Sequence, residues 1–224
     1  MAVGFFVTFE GPEGSGKTTQ IRLLGDWLRE QGLDVLITRE PGGTAIGDRI
    51  RAILLDPAHK AMCPEAEALL FSAARAQIVR EVIRPHLDRG GWVLCDRYAD
   101  STLAYQGYGR GLDLEMLRTI TAFATDGLWP DVTVYLDLPV EEGLRRRQQA
   151  EGIEWNRLDA EQLAFHRRVR EGYLEMAAAD PQRWLVLDAR QPIEAVQKAI
   201  RERLAARLRL PARASDTLER RGAP

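Results

Sequence analysis

The chain contains 224 residues, of which 45% are hydrophobic and 29% are charged, as in an ordinary globular domain. This composition excludes wholesale disorder, a collagen-like repeat and a small disulfide scaffold. The formal net charge of −2 indicates neither a nucleic-acid nor an anionic membrane partner. No charge-free run approaches the roughly 20 residues of a membrane span. Cys63 and Cys95 match no metal-ligand spacing, so we expect two buried thiols in a reducing cytoplasm.

Five short apolar runs alternate with helical patterns along the chain. The predicted strands cover residues 5–10, 35–38, 92–95, 132–136 and 184–187. The predicted helices run from near Lys17 to Gly32 and then over residues 46–55, 65–87, 114–124, 140–149, 160–179 and 193–208. This alternation predicts an α/β fold, with a five-stranded parallel sheet covered by helices on both faces.

Composition suggests where this single domain ends. Residues 148–156 are polar and contain Gly152, which predicts a mobile loop between two helices. Residues 211–224 show no hydrophobic periodicity, and we expect them to form a disordered tail. The domain is therefore predicted to cover residues 1–210.

A phosphate-binding loop follows the first predicted strand. Gly11, Gly16, Lys17 and Thr18 form the pattern GxxxxGKT between a strand and a helix, the arrangement of a P-loop. Backbone N–H groups of such a loop surround a phosphate, and the helix N-terminus adds positive potential. We expect Lys17 to reach the β- and γ-phosphates and Thr18 to bind Mg²⁺. The predicted ATP-binding residues are Gly11, Pro12, Glu13, Gly14, Ser15, Gly16, Lys17, Thr18 and Thr19.

Asp96 follows the third apolar run. A carboxylate at this position of a P-loop protein holds Mg²⁺ or its water shell, and we expect Asp96 to form the metal site with Thr18. A strand-end helix cap is the alternative interpretation. The two motifs together predict the three-layer P-loop NTP hydrolase-type fold.

The P-loop leaves several protein classes open. The chain has no Asn-Lys-x-Asp motif of a GTPase, and molecular motors normally need a longer chain. Arginines near the predicted sheet edge favour a kinase for a small anionic acceptor.

Four segments resemble bacterial thymidylate kinases in order and spacing. They are FEGPEGSGKTTQ at 9–20, TREPGGT at 38–44, DRY at 96–98 and STLAYQG at 101–107. The resemblance runs from about Phe5 to Leu208, and the last three segments are specific to the family. It implies Mg²⁺-dependent transfer of a phosphoryl group from ATP to dTMP, giving dTDP for dTTP biosynthesis. It further implies a homodimer.

The resemblance also implies a dTMP site. Phe71 would stack on thymine, and Arg75, four residues later on the same helix face, would donate to a base carbonyl. Thr102 and Gln106 would lie at the base, and Tyr105 beside the sugar. Spacing alone would equally suit a core phenylalanine and a solvated arginine.

The remaining implied contacts concern the acceptor phosphate and sugar. Arg97 would bridge the donor and acceptor phosphates, Arg51 would clamp the acceptor phosphate, and Glu13 would accept from the 3′-OH. Three further residues complete the implied site: Glu40 and Pro41, joined by a cis peptide in the family, and Tyr173, which would line the thymidine pocket.

A lid at about residues 146–158 is the last implied feature. The P-loop contains no arginine, so in this family the lid would supply the catalytic positive charge. The candidates are Arg146, Arg147 and Arg157. Arg157 matches the family's Asp-Arg signature, although Asn156 precedes it here. The expected catalytic residues are Lys17, Arg97, Arg147 and Arg157.

Two alternatives from other classes stay open. A deoxynucleoside kinase would phosphorylate thymidine instead of dTMP and would need a general base near the 5′-OH. A non-catalytic nucleotide-binding module would have no need to retain Lys17, Thr18, Asp96 and Arg97 together.

Overall fold

The computed structural model describes residues 4–149 and 155–208. Its sheet contains β1 (Phe5–Glu10), β2 (Val35–Arg39), β3 (Trp92–Asp96), β4 (Val132–Asp137) and β5 (Trp184–Asp188). The strands lie in the order β2-β3-β1-β4-β5, and every neighbouring pair is parallel. The predicted five-stranded parallel sheet is confirmed. The predicted tail and residues 150–154 of the predicted lid lie outside the described residues.

Helices cover both faces of this sheet. They are α1 (Lys17–Glu30), α2 (Ala45–Leu55), α3 (Pro64–Ile78), α4 (Arg84–Asp88), α5 (Ala99–Thr102), α6 (Leu114–Thr125), α7 (Val140–Gln149), α8 (Leu163–Ala179) and α9 (Ile193–Leu208). Strand residues point alternately to opposite faces. Val7 packs with Leu24 and Ile200 on one face, whereas Phe6 packs with Ile78 on the other. Among the described residues, no helix is both long enough and apolar enough to cross a lipid bilayer.

Four strands end one residue later than predicted, each on a charged side chain. Arg39 pairs in register with Asp96, and Asp137 with Asp188. Because all strands are parallel, these residues lie along one edge of the sheet. The rigid sheet therefore fixes the backbone of several charged groups at the edge where parallel α/β sheets bind ligands.

The predicted helix at residues 65–87 is interrupted by a π-helical turn, Val79–Ile83, between α3 and α4. The Arg84 N–H bonds to the Val79 carbonyl, five residues back. Pro85 lacks an N–H group and disfavours a regular helix before it. The wider turn accommodates this proline.

The sequence patterns did not predict any helix at residues 99–109. The structure places α5 there, followed by a π-helical turn at Leu103–Gly109. Ala104, Tyr105 and Gln106 are all buried, so this segment has no polar face to produce amphipathic periodicity.

Two smaller predictions also need correction. The helix expected at residues 160–179 begins only at Leu163, because the Asp159 carboxylate accepts from the Asn156 N–H (3.0 Å) and stabilises a preceding turn. Cys95 is buried as expected, but Cys63 is exposed. Cys63 lies at the start of α3, immediately before Pro64.

The ion pair between buried Asp100 and half-buried Arg183 provides a test of what holds α5 to the sheet. Asp100 accepts from Arg183 Nη1 (2.6 Å) and Nη2 (3.0 Å). We expect Asp100→Asn to lower the free energy of unfolding in urea by about 3 kcal/mol, because Arg183 would lose its buried counter-charge. The control Asp180→Asn removes the exposed partner of Arg183 and should cost at most about 1 kcal/mol. Equal losses of unfolding free energy in the two variants would contradict the role of Asp100 as the buried counter-charge of Arg183.

Candidate active site

The P-loop between β1 and α1 adopts a conformation that depends on glycine. Gly14 has φ +74°, and a Cβ there would lie 2.5 Å from the Gly143 carbonyl oxygen. Only glycine therefore allows the loop to lie this close to α7. Lys17 Nζ donates to the carbonyls of Gly11 (3.2 Å) and Pro12 (3.0 Å). Burial lowers the pKa of Lys17, and the neighbouring Arg97 lowers it further.

The predicted metal-binding pair is assembled where α1 begins and β3 ends. Thr18 Oγ1 donates to Asp96 Oδ2 over 3.4 Å. Hydroxyl and carboxylate oxygens are the hard ligands that Mg²⁺ prefers, so this pair fits that ion. Among the described residues, no cluster of three or more acidic, His or Cys side chains could hold a metal. A Mg²⁺ ion here would take its other ligands from phosphates and water.

A cleft of about 1130 Å³ extends from the P-loop across the edge of the sheet. This volume exceeds the roughly 300–1,000 Å³ of most small-molecule pockets, as a site for two nucleotides requires. The cleft brings together most of the predicted substrate residues. These are Glu13, Glu40, Pro41, Arg51, Phe71, Arg97, Thr102, Tyr105, Gln106 and Arg147.

Arg97 occupies the centre of this cleft. Its Nη2 donates to Glu13 Oε1 (2.7 Å), and its guanidinium lies 5.0 Å from the Tyr105 ring centroid. Its backbone φ of +67° is in the left-handed region, a strained conformation that concentrates at functional sites. Burial would raise the pKa of Glu13, but Lys17 and Arg97 outweigh this effect and hold it below its usual range. Arg97 therefore faces an ionised carboxylate.

Glu10, a residue that the sequence analysis missed, lies behind Arg97 and is fully buried. One carboxylate oxygen accepts from the Tyr98 N–H (2.8 Å), and the other accepts from Ser101 Oγ (2.6 Å) and Tyr173 OH (2.7 Å). Burial raises the pKa of Glu10. The same two hydroxyls accept from Arg97 Nη1 over 3.5 and 3.4 Å. The only sequence signal was a carboxylate at the end of an apolar strand.

Glu40 and Pro41 form another part of the cleft wall. Their peptide bond is cis, as the resemblance implied. Arg51 Nη1 donates to the Pro41 carbonyl (2.9 Å), which holds this arginine on the cleft wall. Burial raises the pKa of Glu40 to about 7, although Arg75 opposes the shift. Glu40 Oε1 is buried and has no hydrogen-bond partner among the described residues.

Two predicted dTMP-site residues lie behind the cleft wall. Arg75 is buried and donates to Glu40 Oε2 (2.7 Å), Thr102 Oγ1 (2.8 Å) and the Tyr98 carbonyl (3.1 Å). Tyr173 is buried behind Arg97. Both residues hold side chains that line the cleft, instead of lining it themselves.

The two expected catalytic lid arginines occupy different environments. Arg147 lines the cleft, and its Nη2 donates to Asp159 Oδ2 (2.9 Å). Arg157 is not among the described residues that line the cleft. Its Nη1 pairs with Glu67 Oε2 (2.5 Å) and its Nε donates to the Leu54 carbonyl (2.8 Å). These contacts hold Arg157 against α2 and α3.

The P-loop, the Thr18–Asp96 pair and the arginine-lined cleft together define a P-loop kinase, a class that transfers a phosphoryl group from a bound nucleoside triphosphate. Comparison with known proteins narrows this class. The sequence model of the family described as "Thymidylate kinase" matches residues 9–200, and the chain belongs to this family.

Individual relatives support the same assignment over most of the chain. A thymidylate kinase of Roseiflexus sp. (strain RS-1) is 61% identical over 208 residues, covering 88% of this chain and 92% of the relative. One from Deinococcus radiodurans is 56% identical over 200 residues, covering 89% and 96%. A crystal structure of thymidylate kinase from Ehrlichia chaffeensis has a TM-score of 0.72 at 32% identity, covering 90% of this chain and 99% of that one.

The position of Tyr173 behind Arg97 leads to a kinetic prediction. Tyr173→Phe removes a hydroxyl that accepts from Arg97 and donates to Glu10. We expect kcat to fall about tenfold, the effect of one hydrogen bond to a charged group, while the KM of the nucleotide acceptor is unchanged. The control is Tyr135→Phe, whose ring stacks on Tyr173 but whose hydroxyl donates to Asp137. A higher acceptor KM at unchanged kcat would instead place Tyr173 in the acceptor pocket.

Proposed function

We propose that this protein transfers the γ-phosphoryl group of ATP to dTMP and produces dTDP for dTTP biosynthesis. The observation that carries this proposal is one cleft that the P-loop and Arg97 line together, with Arg97 Nη2 donating to Glu13 Oε1 of that loop. Two polyanions must approach each other during this transfer. A guanidinium held between their sites can contact both and neutralise the charge that develops.

The transfer requires alignment more than acid–base chemistry. An oxygen of the dTMP phosphate is already a nucleophile; its bond to the γ-phosphorus forms as the bond from that phosphorus to the β–γ bridging oxygen breaks, and ADP leaves. Lys17 would hold the β- and γ-phosphates, and Arg97 would orient the acceptor phosphate. Mg²⁺ at Thr18 and Asp96 would reduce phosphate repulsion when bound.

The acceptor pocket has the chemistry of a pyrimidine nucleotide site. Phe71 on α3 lines the cleft and would stack on the base, a contact worth about 1–3 kcal/mol. Thr102 and Gln106 supply polar groups for the base, and Tyr105 lies beside Arg97, where the sugar would fit. Arg51 would clamp the phosphate, and Glu13 would accept from the 3′-OH.

An acceptor survey tests the reaction. ADP release with Mg·ATP should be fast with dTMP and near background with thymidine or without an acceptor, because Arg51 and Arg97, which line the cleft, would bind an acceptor phosphate that thymidine lacks. Arg97→Ala should lose the dTMP-dependent rate and still fold. Preferred turnover of thymidine would favour a deoxynucleoside kinase. Slow ADP release regardless of the acceptor would leave a P-loop ATPase.

We propose Arg147, and not Arg157, as the lid arginine that acts on the transferred phosphoryl group. Arg147 already lines the cleft, and its charge helps to lower the pKa of Glu13. Arg157 would have to break its bonds to Glu67 and to the Leu54 carbonyl to reach the cleft.

A pair of substitutions separates the two arginines. Arg147→Met should lower kcat by about 10³-fold, the lower end of the range for arginines that stabilise this transition state. Arg157→Met should instead lower the unfolding midpoint in urea and leave kcat near that of the original protein. The reverse pattern would restore Arg157 as the catalytic lid residue.

We also propose a cytoplasmic homodimer. Ile46 and Ile53 on α2 and Leu69 on α3 are large apolar side chains with 54%, 44% and 56% exposure. The two helices pack against each other, so these residues can contribute to one apolar surface. Sedimentation velocity tests the dimer, which should have twice the 25.2 kDa mass of the chain.

A further inference from the structure

Glu67 on α3 is a buried carboxylate with an unusual number of donors. It accepts from Gln106 Nε2 (2.8 Å), from Arg110 Nε (3.1 Å) and Nη2 (3.0 Å), and it pairs with Arg157 Nη1 (2.5 Å). Its side chain is only 1% exposed. Glu67 therefore holds three side chains from different parts of the chain and does so from behind the cleft.

These contacts determine how the Gln106 amide is oriented. Burial would raise the pKa of Glu67, but hydrogen bonds from Arg110 and Gln106 outweigh this and lower it, so the carboxylate is ionised. An ionised carboxylate only accepts hydrogen bonds. Gln106 must therefore turn its NH₂ group toward Glu67 and leave its carbonyl oxygen Oε1 for other contacts. Since Gln106 lines the cleft, that oxygen is an acceptor for a bound base.

Arg110 makes this arrangement rigid. Its Nη1 pairs with Glu161 Oε1 (2.6 Å), and its guanidinium lies 4.7 Å from the Phe165 ring centroid. The carboxylate that fixes Gln106 is itself fixed from two sides by arginines, which prevents the amide from rotating to offer its NH₂ group to the cleft.

We propose that Glu67 is a positioning residue for base selection, which holds Gln106 so that an amide acceptor meets the ring edge of the nucleotide. This inference rests on the proposed function. Thymine carries an N–H at ring position N3, whereas cytosine carries a bare acceptor nitrogen there. An acceptor held on the cleft wall therefore favours dTMP and repels dCMP, because two acceptors facing each other leave both unsatisfied.

The measurement must separate base selection from general loosening of the structure. Glu67 also anchors Arg157, so a variant could weaken binding of every nucleotide. The ratio of the dissociation constants of dCMP and dTMP, measured without ATP by titration calorimetry, cancels effects that both nucleotides share. A role in stability alone would leave this ratio unchanged.

The main variant is Glu67→Gln, whose amide no longer forces the orientation of Gln106. We expect the dCMP:dTMP ratio to fall about tenfold, the equivalent of one hydrogen bond. The matched control is Glu65→Gln, an exposed residue on the same helix, which should retain the original ratio. An unchanged ratio in folded Glu67→Gln would overturn the inference.

A double-mutant cycle tests whether Glu67 acts through Gln106. Gln106→Leu should lower the ratio by a similar factor, and adding Glu67→Gln should cause no further fall. Independent, multiplying effects would overturn the inference.

Glu67→Gln/Arg110→Gln is the substitute variant if Glu67→Gln alone does not fold, because it removes one charge of each sign. The original dCMP:dTMP ratio in that double variant would also overturn the inference. If the unmodified protein does not turn over dTMP, the proposed function itself is wrong.

Discussion

The contact between Arg97 and Glu13 is the interaction on which the cleft depends. It places a cation at the centre of a site lined by further positive groups, with one carboxylate in front of it and Glu10 behind it. Arg97 and Lys17 are close enough for their charges to interact. Without these carboxylates, their mutual repulsion would not be compensated. These carboxylates therefore offset the charges of Arg97 and Lys17 before substrate binds, and phosphate oxygens can take over the carboxylate contacts.

The parallel sheet makes this balance possible. β1 and β3 are neighbours, so Glu10 at the end of one strand and Arg97 after the other lie at the same edge. The P-loop also begins at this edge, immediately after Glu10. The neighbouring positions of β1 and β3 thus bring together the P-loop, the Thr18–Asp96 pair and Arg97. The helices packed behind these groups hold them in place.

The sequence predicted the parts of the site that lie in local patterns. The P-loop, the five strands and Asp96 each follow from short motifs or periodicity, and the structure brings the P-loop and Asp96 together in one cleft. Glu10 and Glu67 could not be predicted in this way, because their partners are distant in sequence and a single buried carboxylate has no local signature. The π-helical turn at Leu103–Gly109 was missed because a largely buried helix has no exposed polar face.

Three arginines show why residue type alone does not define a role. Arg97, Arg147 and Arg157 carry the same group, but the first two line the cleft and the third is held on Glu67 and a backbone carbonyl. Moving Arg157 into the cleft would remove a counter-charge from a buried carboxylate, a change that costs several kcal/mol. Arg147 also pairs with a buried carboxylate, Asp159, but it already lines the cleft in that paired position. Because their carboxylate partners lie in different places, Arg147 is held at the cleft and Arg157 is held against α2 and α3.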